Sequence, residues 1–337
     1  MFKHILVPLD GSSRAERAVP IAARIASASG SCITLLRIIT PPGQIVWQTT
    51  ESISQQETFD ADHARAARYL ARLAASQELE GVKTITQVSS GQPAQLILAV
   101  ASSQSLDIPP VDLIIICSHG YTGFKRWALG SVAQKIAYHC PVPVLVLFPD
   151  RGAVPSRPFP DPARPLHAIA AAIALDGSSL AEAALFPAAY LVAALAAPAQ
   201  GSLHLTRVVQ RPGVDTVLAG RKRVDQLPGD QSIAEAMSYL SKIADDLHTS
   251  LAGGLNLRVT WSLAVAADVA DTLIEMAEMG RVGGGTCVYG GCDILALTTH
   301  GHGGLQRWAL GSVTERILAA TKLPLLIVRP QQRVDGS

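Results

Sequence analysis

An internal repeat constrains the fold of this chain more than any other feature of its sequence. Residues 118–132 read SHGYTGFKRWALGSV and residues 299–313 read THGHGGLQRWALGSV, so ten of fifteen positions are identical. Further upstream, ILVPLDGSS at 5–13 returns as AAIALDGSS at 171–179. Self-similarity at this spacing indicates that the same structural unit is made twice.

The length of the chain agrees with two units. At 337 residues, of which 48% are hydrophobic and 16% charged, the chain can form two cores of about 150 residues each. A proline-rich segment between the copies favours a stiff, extended linker. We therefore predict a first domain, a linker, a second domain and a short tail, at 1–149, 150–165, 166–330 and 331–337.

Apolar runs alternate with helical periodicity within each copy. In the first copy the pattern predicts strands at 5–9, 32–39, 82–88, 113–117 and 142–147, separated by four helices. Strands that alternate with helices form parallel sheets covered on both faces. The predicted fold is α/β: two tandem Rossmann-like domains, each a five-stranded parallel sheet flanked by helices. The second copy is longer, and GRVGGGTCVYGG at 280–291 is predicted to be a flexible loop before a strand.

Composition excludes several classes of partner. The formal net charge is +1 and only 5% of residues are aromatic, which argues against a nucleic-acid partner held by phosphate contacts or base stacking. Five scattered cysteines without zinc-site spacing indicate a reducing, cytoplasmic environment. The alanine-rich stretch at 180–199 contains Glu182 and Pro187, and this favours a packed core helix over a membrane span.

The repeated loop has the composition of a phosphate-binding site. In a doubly wound sheet, ligands bind beyond the carboxyl ends of the strands, and the loop follows the fourth strand of each copy. Its glycines allow positive φ angles and close backbone approach. A Gly-Ser pair then opens a helix, whose free N–H groups favour an anion. The residues concerned are Gly120, Gly123, Gly130 and Ser131, and in the second copy Gly301, Gly303, Gly304, Gly311 and Ser312.

Turn and capping chemistry explains the same residues without a ligand. Ser131-x-x-Gln134 and Ser312-x-x-Glu315 both match the capping box. Asp10 and Asp176 could accept hydrogen bonds from a ribose or an adenine amine, or could begin Asp-Gly turns. In the second case the helices that follow would be capped by Ser13-x-x-Glu16 and Ser179-x-x-Glu182. Both interpretations stay open on the residues alone.

Other side chains of the loop have similar alternatives. His119 and His300 have no carboxylate partner evident in the sequence, and we interpret them as loop-orienting residues rather than catalytic bases. Trp127 and Trp308 are predicted to anchor the loop by packing. The arginines before them, at 126 and 307, either face solvent or meet phosphate.

Taken together, these motifs resemble the universal stress protein family, and the whole chain is similar to its tandem, UspA-type members. The nucleotide motif of that family is Gly-x2-Gly-x9-Gly-Ser/Thr, and both copies keep its last two glycines, their spacing and the serine. VPLD at 7–10 and GQPAQLI at 91–97 extend the resemblance. The first glycine of the motif is replaced by Cys117 and Thr298. The second copy also has Ala174 where the first has Pro8, and Ala267 where it has Gly91.

The resemblance implies an adenine nucleotide alpha hydrolase-like fold and a cytoplasmic, ATP-binding stress-response protein without strong catalytic activity. The implied ligand is ATP, alone or with Mg²⁺. The implied binding residues are Pro8, Asp10, Ile38, Gly120, Gly123, Gly130, Ser131 and Val132 in the first copy, and Asp176, Val208, Gly301, Gly304, Gly311, Ser312 and Val313 in the second. Family members pair through their last strand, which implies an internal pseudo-dimer through 142–147 and 323–328, or a homodimer.

Two other functions compete with this one. An ATP-dependent enzyme of the related adenine-nucleotide α/β group would need an acceptor site and usually a signature such as SGGxDS after the first strand, which LDGSS lacks. A dimeric scaffold that binds no nucleotide would result if Cys117 and Thr298 close the pocket.

Overall fold

The chain forms two compact units, Met1–Asp150 and Arg151–Ser337, which we call domain 1 and domain 2. The computed structural model describes residues 1–40, 51–103, 108–118, 129–148, 169–211, 230–251, 254–282, 288–300 and 311–330. The predicted linker and tail, and the central part of each repeated loop, lie outside the described residues.

Domain 1 is a parallel sheet with helices in every crossover. Its elements are β1 His4–Leu9, α1 Ser13–Glu16, α2 Ala18–Ser29, β2 Cys32–Ile39, α3 Glu51–Ala74, β3 Thr84–Ser90, α4 Pro93–Ser102, β4 Leu113–Cys117, α5 Ser131–His139 and β5 Val144–Leu147. Within the domain the strands lie in the order β3-β2-β1-β4-β5, and neighbouring strands pair in parallel. The predicted Rossmann-like fold is confirmed.

Domain 2 repeats this arrangement. Its elements are β6 Ala170–Ala174, α6 Ser179–Glu182, α7 Leu185–Ala196, β7 Gly201–Gln210, α8 Asp230–Leu251, β8 Leu257–Ala266, α9 Val269–Met279, β9 Gly280–Val282, β10 Val288–Gly290, β11 Ile294–Thr298, α10 Ser312–Ala320 and β12 Leu325–Val328. The main sheet has the order β8-β7-β6-β11-β12, again with parallel pairing.

Burial explains why the central strands carry continuous apolar runs. Every residue of β1 and of β4 is buried, as expected for strands covered by helices on both faces. One face of α2 packs against β1 and β2 through small and branched side chains, including Val19, Ala22 and Ile25. The helix ends at Gly30, which adopts the left-handed conformation with φ 69° that helix C-termini favour.

The extra length of domain 2 includes a small antiparallel ribbon. β9 and β10 pair with Val288 opposite Val282 and Tyr289 opposite Arg281. The ribbon is inserted between α9 and β11. The prediction of a flexible loop across 280–291 was therefore wrong at both ends of that segment, where short strands form; the residues between the strands are not described.

The apolar stretch Ser179–Ala196 is long and apolar enough to cross a membrane, with a mean hydropathy of 1.6 over 18 residues. However, 56% of it is buried inside the fold, and a turn at residues 183–184 divides it into α6 and α7. Leu191, Val192 and Leu195 of α7 are fully buried. This burial agrees with the predicted core helix.

Candidate functional site

A cavity of about 830 Å³ opens at the carboxyl ends of β1, β2 and β4 in domain 1. The strand order reverses between β1 and β4, and doubly wound folds bind their ligands at such a point. The cavity has the size of a small-molecule site. The structure brings together here all the predicted domain 1 residues that it describes, namely Pro8, Asp10, Ile38, Gly130, Ser131 and Val132.

The predicted residues of domain 2 occupy equivalent places at its sheet. Asp176 follows β6, Val208 lies near the end of β7, and Gly311, Ser312 and Val313 begin α10. Five predicted loop glycines lie outside the described residues, namely Gly120, Gly123, Gly301, Gly303 and Gly304. The same holds for His119, for Arg126 and Trp127, and for the second-copy counterparts of the last two, Arg307 and Trp308.

The start of α5 differs from the prediction in a way that matters for anion binding. The N-cap is Gly130 rather than Ser131, and likewise Gly311 rather than Ser312, so the predicted capping boxes were wrong. No side chain caps either helix. The N–H groups in the first turn of a helix have no acceptor within the helix. Since no side chain caps α5 and its first residues line the cavity, these N–H groups are open to the cavity.

These two glycines do not adopt positive φ angles. Gly130 has φ −62° and Gly311 has φ −60°, which any residue can adopt. The freedom of glycine to adopt positive φ is therefore not used at either position. Each amide is fixed instead to the end of the preceding strand region: Gly130 N donates to Ser118 O at 2.8 Å and Gly311 N to Thr299 O at 2.9 Å. Glycine at these positions leaves open the approach to the helix terminus.

Asp10 and Asp176 form the turns that their sequence context predicts. Asp10 Oδ1 accepts hydrogen bonds from Ser12 N at 3.0 Å and Ser12 Oγ at 2.6 Å, and Asp176 makes the same pair of bonds with Ser178. Gly11 and Gly177 in these turns have φ 84° and 91°. The turns therefore hold both carboxylates at the carboxyl ends of β1 and β6.

The caps of the helices after these turns lie one residue earlier than predicted. Ser12 and Ser178, rather than Ser13 and Ser179, accept from the amides of Ala15 and Ala181, each at 3.2 Å. The same serine hydroxyls donate to the aspartates, so one side chain connects the turn to the helix.

An arginine and a tyrosine that the sequence analysis missed also line the domain 1 site. Arg37 at the end of β2 donates from Nη1 to Leu9 O at 3.2 Å, and its guanidinium lies over Gly11. Tyr69 of α3 lines the same cavity. Burial, and then the nearby Glu16 carboxylate, raise the pKa of Tyr69 above its ordinary value.

Domain 2 contains the same cluster in a tighter form. The Arg207 guanidinium lies 5.3 Å from the ring centroid of Tyr239, and the Tyr239 hydroxyl donates to Glu182 Oε1 at 3.0 Å. A Cβ added at Gly177 would meet Arg207 at 2.8 Å, against 3.5 Å for Gly11 and Arg37. The repeat carried this signal, because Arg37 and Arg207 occupy the same place in ITLLRII and LHLTRVV.

Cys117 and Thr298, which replace the first motif glycine, are both buried and both make local contacts. Cys117 lines the cavity, and its Sγ lies 2.9 Å from the carbonyl oxygen of Arg14 in α1. Thr298 Oγ1 donates to His300 O at 2.8 Å. His300 Nδ1 in turn lies 2.9 Å from Thr299 Oγ1, so its ring is held at the start of the loop.

If ATP binds as the resemblance implies, we expect Cys117→Gly and Thr298→Gly to strengthen its binding about fivefold, on the order of 1 kcal/mol, because each substitution would remove a side chain that crowds the adenosine end of the nucleotide. The buried Sγ contact with α1 would be lost in Cys117→Gly, so its melting temperature should fall. Calorimetric titration together with thermal melts separates the two effects. Weaker ATP binding at unchanged stability would show that the native side chain contacts the ligand, contrary to this expectation.

Comparisons with known proteins agree with the geometry. A universal stress protein of Methanocaldococcus jannaschii is 28% identical over 153 residues, which are 44% of this chain and 82% of that protein. A putative universal stress protein of Staphylococcus haemolyticus is 29% identical over 152 residues, 43% of this chain and 84% of that protein. These relatives each match about half of the chain.

Solved structures and a family model extend the match to both halves. The crystal structure of a universal stress protein from Archaeoglobus fulgidus has the same fold with a TM-score of 0.60 and 18% identity, covering 97% of this chain and 98% of that one. The model of the universal stress protein family matches residues 1–147 and again 171–329. The chain therefore belongs to the universal stress protein family, as a member with two domains in tandem.

Proposed function

We propose that this protein binds adenine nucleotide, with ATP as the ligand, and acts as a stress-response regulator without strong catalytic activity. The observation that carries the proposal is the domain 1 cavity, where a carboxylate and an open helix N-terminus line one space. Asp10 and Ile38 lie at the ends of β1 and β2, and Gly130 and Ser131 lie at the start of α5.

The two sides of this cavity suit the two halves of a nucleotide. The first-turn N–H groups of α5 and the helix dipole stabilise phosphate charge. The Asp10 carboxylate accepts hydrogen bonds, as a ribose hydroxyl or a base amine would donate them, and Ile38 offers apolar contact to a base. No group of three or more potential metal ligands occurs in the described parts of the chain. If Mg²⁺ accompanies ATP, we expect phosphate and water to supply most of its ligands.

Bound nucleotide tests this proposal directly. Protein purified without added nucleotide, then denatured and filtered, should release material that absorbs at the adenine wavelength and is identified chromatographically as adenine nucleotide. Protein that is initially free of nucleotide should bind ATP in a calorimetric titration. No release and no heat of binding with a correctly folded protein would contradict the proposal and favour the scaffold function. Stoichiometric turnover of ATP in the presence of an acceptor would favour the enzyme.

We also propose that the two domains pair through their last strands, β5 and β12, as the resemblance implies. Each is the final strand of its own domain's sheet order, and an unpaired apolar edge strand promotes aggregation. Hydrogen exchange should therefore show protection at every amide of residues 144–147 and 325–328. Rapid exchange at alternate amides, the pattern of an edge strand open to solvent, would contradict the pairing.

A further inference from the structure

The candidate sites of the two domains differ in the strand residues that lie next to the predicted base-binding positions. In domain 1, Pro8 pairs in register with Leu36, and both side chains line the cavity. In domain 2 the equivalent register pair is Ala174 and Thr206. Side chains two residues apart on a strand share a face, so Thr206 lies on the same sheet face as Val208, as Leu36 does with Ile38. At these two positions domain 2 therefore has smaller side chains than domain 1, and one of them carries a hydroxyl.

That hydroxyl is buried and has no hydrogen-bond partner. Thr206 is 1% exposed, and its Oγ1 has no partner among the described residues. A buried polar group without a partner is unfavourable, and native structures satisfy almost all such groups with protein, water or ligand. The Thr206 hydroxyl therefore needs a hydrogen-bond partner from a neighbouring residue, a water molecule or a ligand.

The neighbouring polar residues do not supply it. The hydroxyl nearest in register is that of Ser262, which lies 2.7 Å from His204 Nε2. The other ring nitrogen of His204 lies 2.8 Å from Thr260 Oγ1. Both hydroxyls thus contact His204, and neither is a hydrogen-bond partner of Thr206 Oγ1. We infer that the Thr206 hydroxyl is available to a group that enters from the site.

We propose that Thr206 determines ligand specificity in domain 2, its hydroxyl forming a hydrogen bond with the polar edge of the base of a bound nucleotide. This assignment rests on the proposed nucleotide-binding function. In domain 1 the same position is Leu36, which offers only apolar contact. The two sites of one chain are therefore not copies of each other: at this position domain 1 offers only apolar contact to the base, and domain 2 offers a hydroxyl that can form a hydrogen bond with it.

Calorimetric titration with ATP tests the assignment in the full-length chain, with Gly130→Val present so that domain 2 is observed. Thr206→Val keeps the shape of the side chain and removes the hydroxyl; Thr206→Ser keeps the hydroxyl. We expect Thr206→Val to weaken binding about tenfold, equivalent to about 1.4 kcal/mol, and Thr206→Ser to retain most of the affinity.

The unliganded protein gives a second readout. Because Thr206→Val removes a buried hydroxyl without a partner, it should raise the melting temperature of the nucleotide-free chain while it weakens binding. A residue with only a packing role would not combine the two effects.

Three results would overturn the assignment, and they are distinguishable. Unchanged ATP affinity in Thr206→Val would mean that water satisfies the hydroxyl. Binding in domain 1 but none in wild-type domain 2 would overturn the role of Thr206 and leave the proposed function standing. No ATP binding by the wild-type chain at all would contradict the proposed function, and this assignment with it.

Discussion

Under the proposed function, replacing Gly130 with valine should abolish the tighter of two ATP sites, and replacing Gly311 with valine should abolish only the weaker one. The expected loss is at least about 100-fold in dissociation constant, or about 2.7 kcal/mol. The physical reason is steric, because the valine side chain fills the approach to the helix N-terminus. Backbone strain is not involved, since both glycines adopt φ angles that valine tolerates.

The ranking of the two sites follows from the residues around them. Domain 1 keeps Pro8 and Gly91, whose counterparts in domain 2 are Ala174 and Ala267. Gly91 has φ 145°, a conformation that side chains disfavour, so the backbone of domain 2 cannot follow the same path at Ala267 without strain. Loss of the tighter site in Gly311→Val, with that site intact in Gly130→Val, would reverse the ranking.

A matched control separates this effect from a general effect of valine. Gly254 has open space where a Cβ would lie, and it is remote from both helix starts in sequence. Gly254→Val should leave both ATP affinities unchanged. Thermal melts of all three variants show how much of any change comes from helix capping, where glycine-to-valine substitution costs up to about 1 kcal/mol.

Acid should destabilise domain 2 through His204. Burial lowers the pKa of His204 to about 4 in the folded protein, against about 6.5 in an unfolded chain. Between these values the unfolded chain binds the extra proton, so the free energy of unfolding rises with pH. The contribution is complete above about pH 6.5 and is lost as pH falls towards 4. The loss amounts to about 3 kcal/mol.

Denaturant unfolding at several pH values from neutral to 4 measures this dependence. His204→Asn removes the titrating group, so its curve should be flatter than that of the wild type across the same window, though the variant is less stable at neutral pH. His248→Gln, at an exposed position on α8, is the control and should follow the wild type. Equal acid dependence in wild type and His204→Asn would contradict the assignment.

Repetition and periodicity made the fold predictable from the sequence, whereas several boundaries were not. The strands at 32–39 and 113–117 have the predicted bounds, because each is a continuous apolar run. The start of α3 at Glu51 was not predictable. Its polar first turns, ESISQQETF, carry no apolar face to reveal them.

The candidate site was predictable where glycine and serine mark a helix start, and less so where contacts join distant segments. Asp10 and Ser131 were predicted because they stand beside turn residues, and both line the domain 1 cavity. Arg37 and Tyr69 were not, since an arginine in a strand and a tyrosine in a helix are common and their place at one cavity depends on tertiary packing. A position-by-position comparison of the two copies would have revealed Arg37 and Tyr69. The lack of a partner for the Thr206 hydroxyl could not be predicted, because it depends on the surroundings of that side chain in the folded domain.

The cluster of Arg207, Tyr239 and Glu182 also affects the order in which the sheet and the candidate ligand-binding edge of domain 2 form. The guanidinium that lies over the Asp176-Gly177 turn rests on a ring from α8, and α8 is synthesised well after the turn itself. During translation, β6, α6 and β7 can leave the ribosome and pair while the turn still lacks this support. We therefore expect the ligand-binding edge to gain its final shape after the sheet has begun to form, so that nucleotide does not assist the first steps of folding.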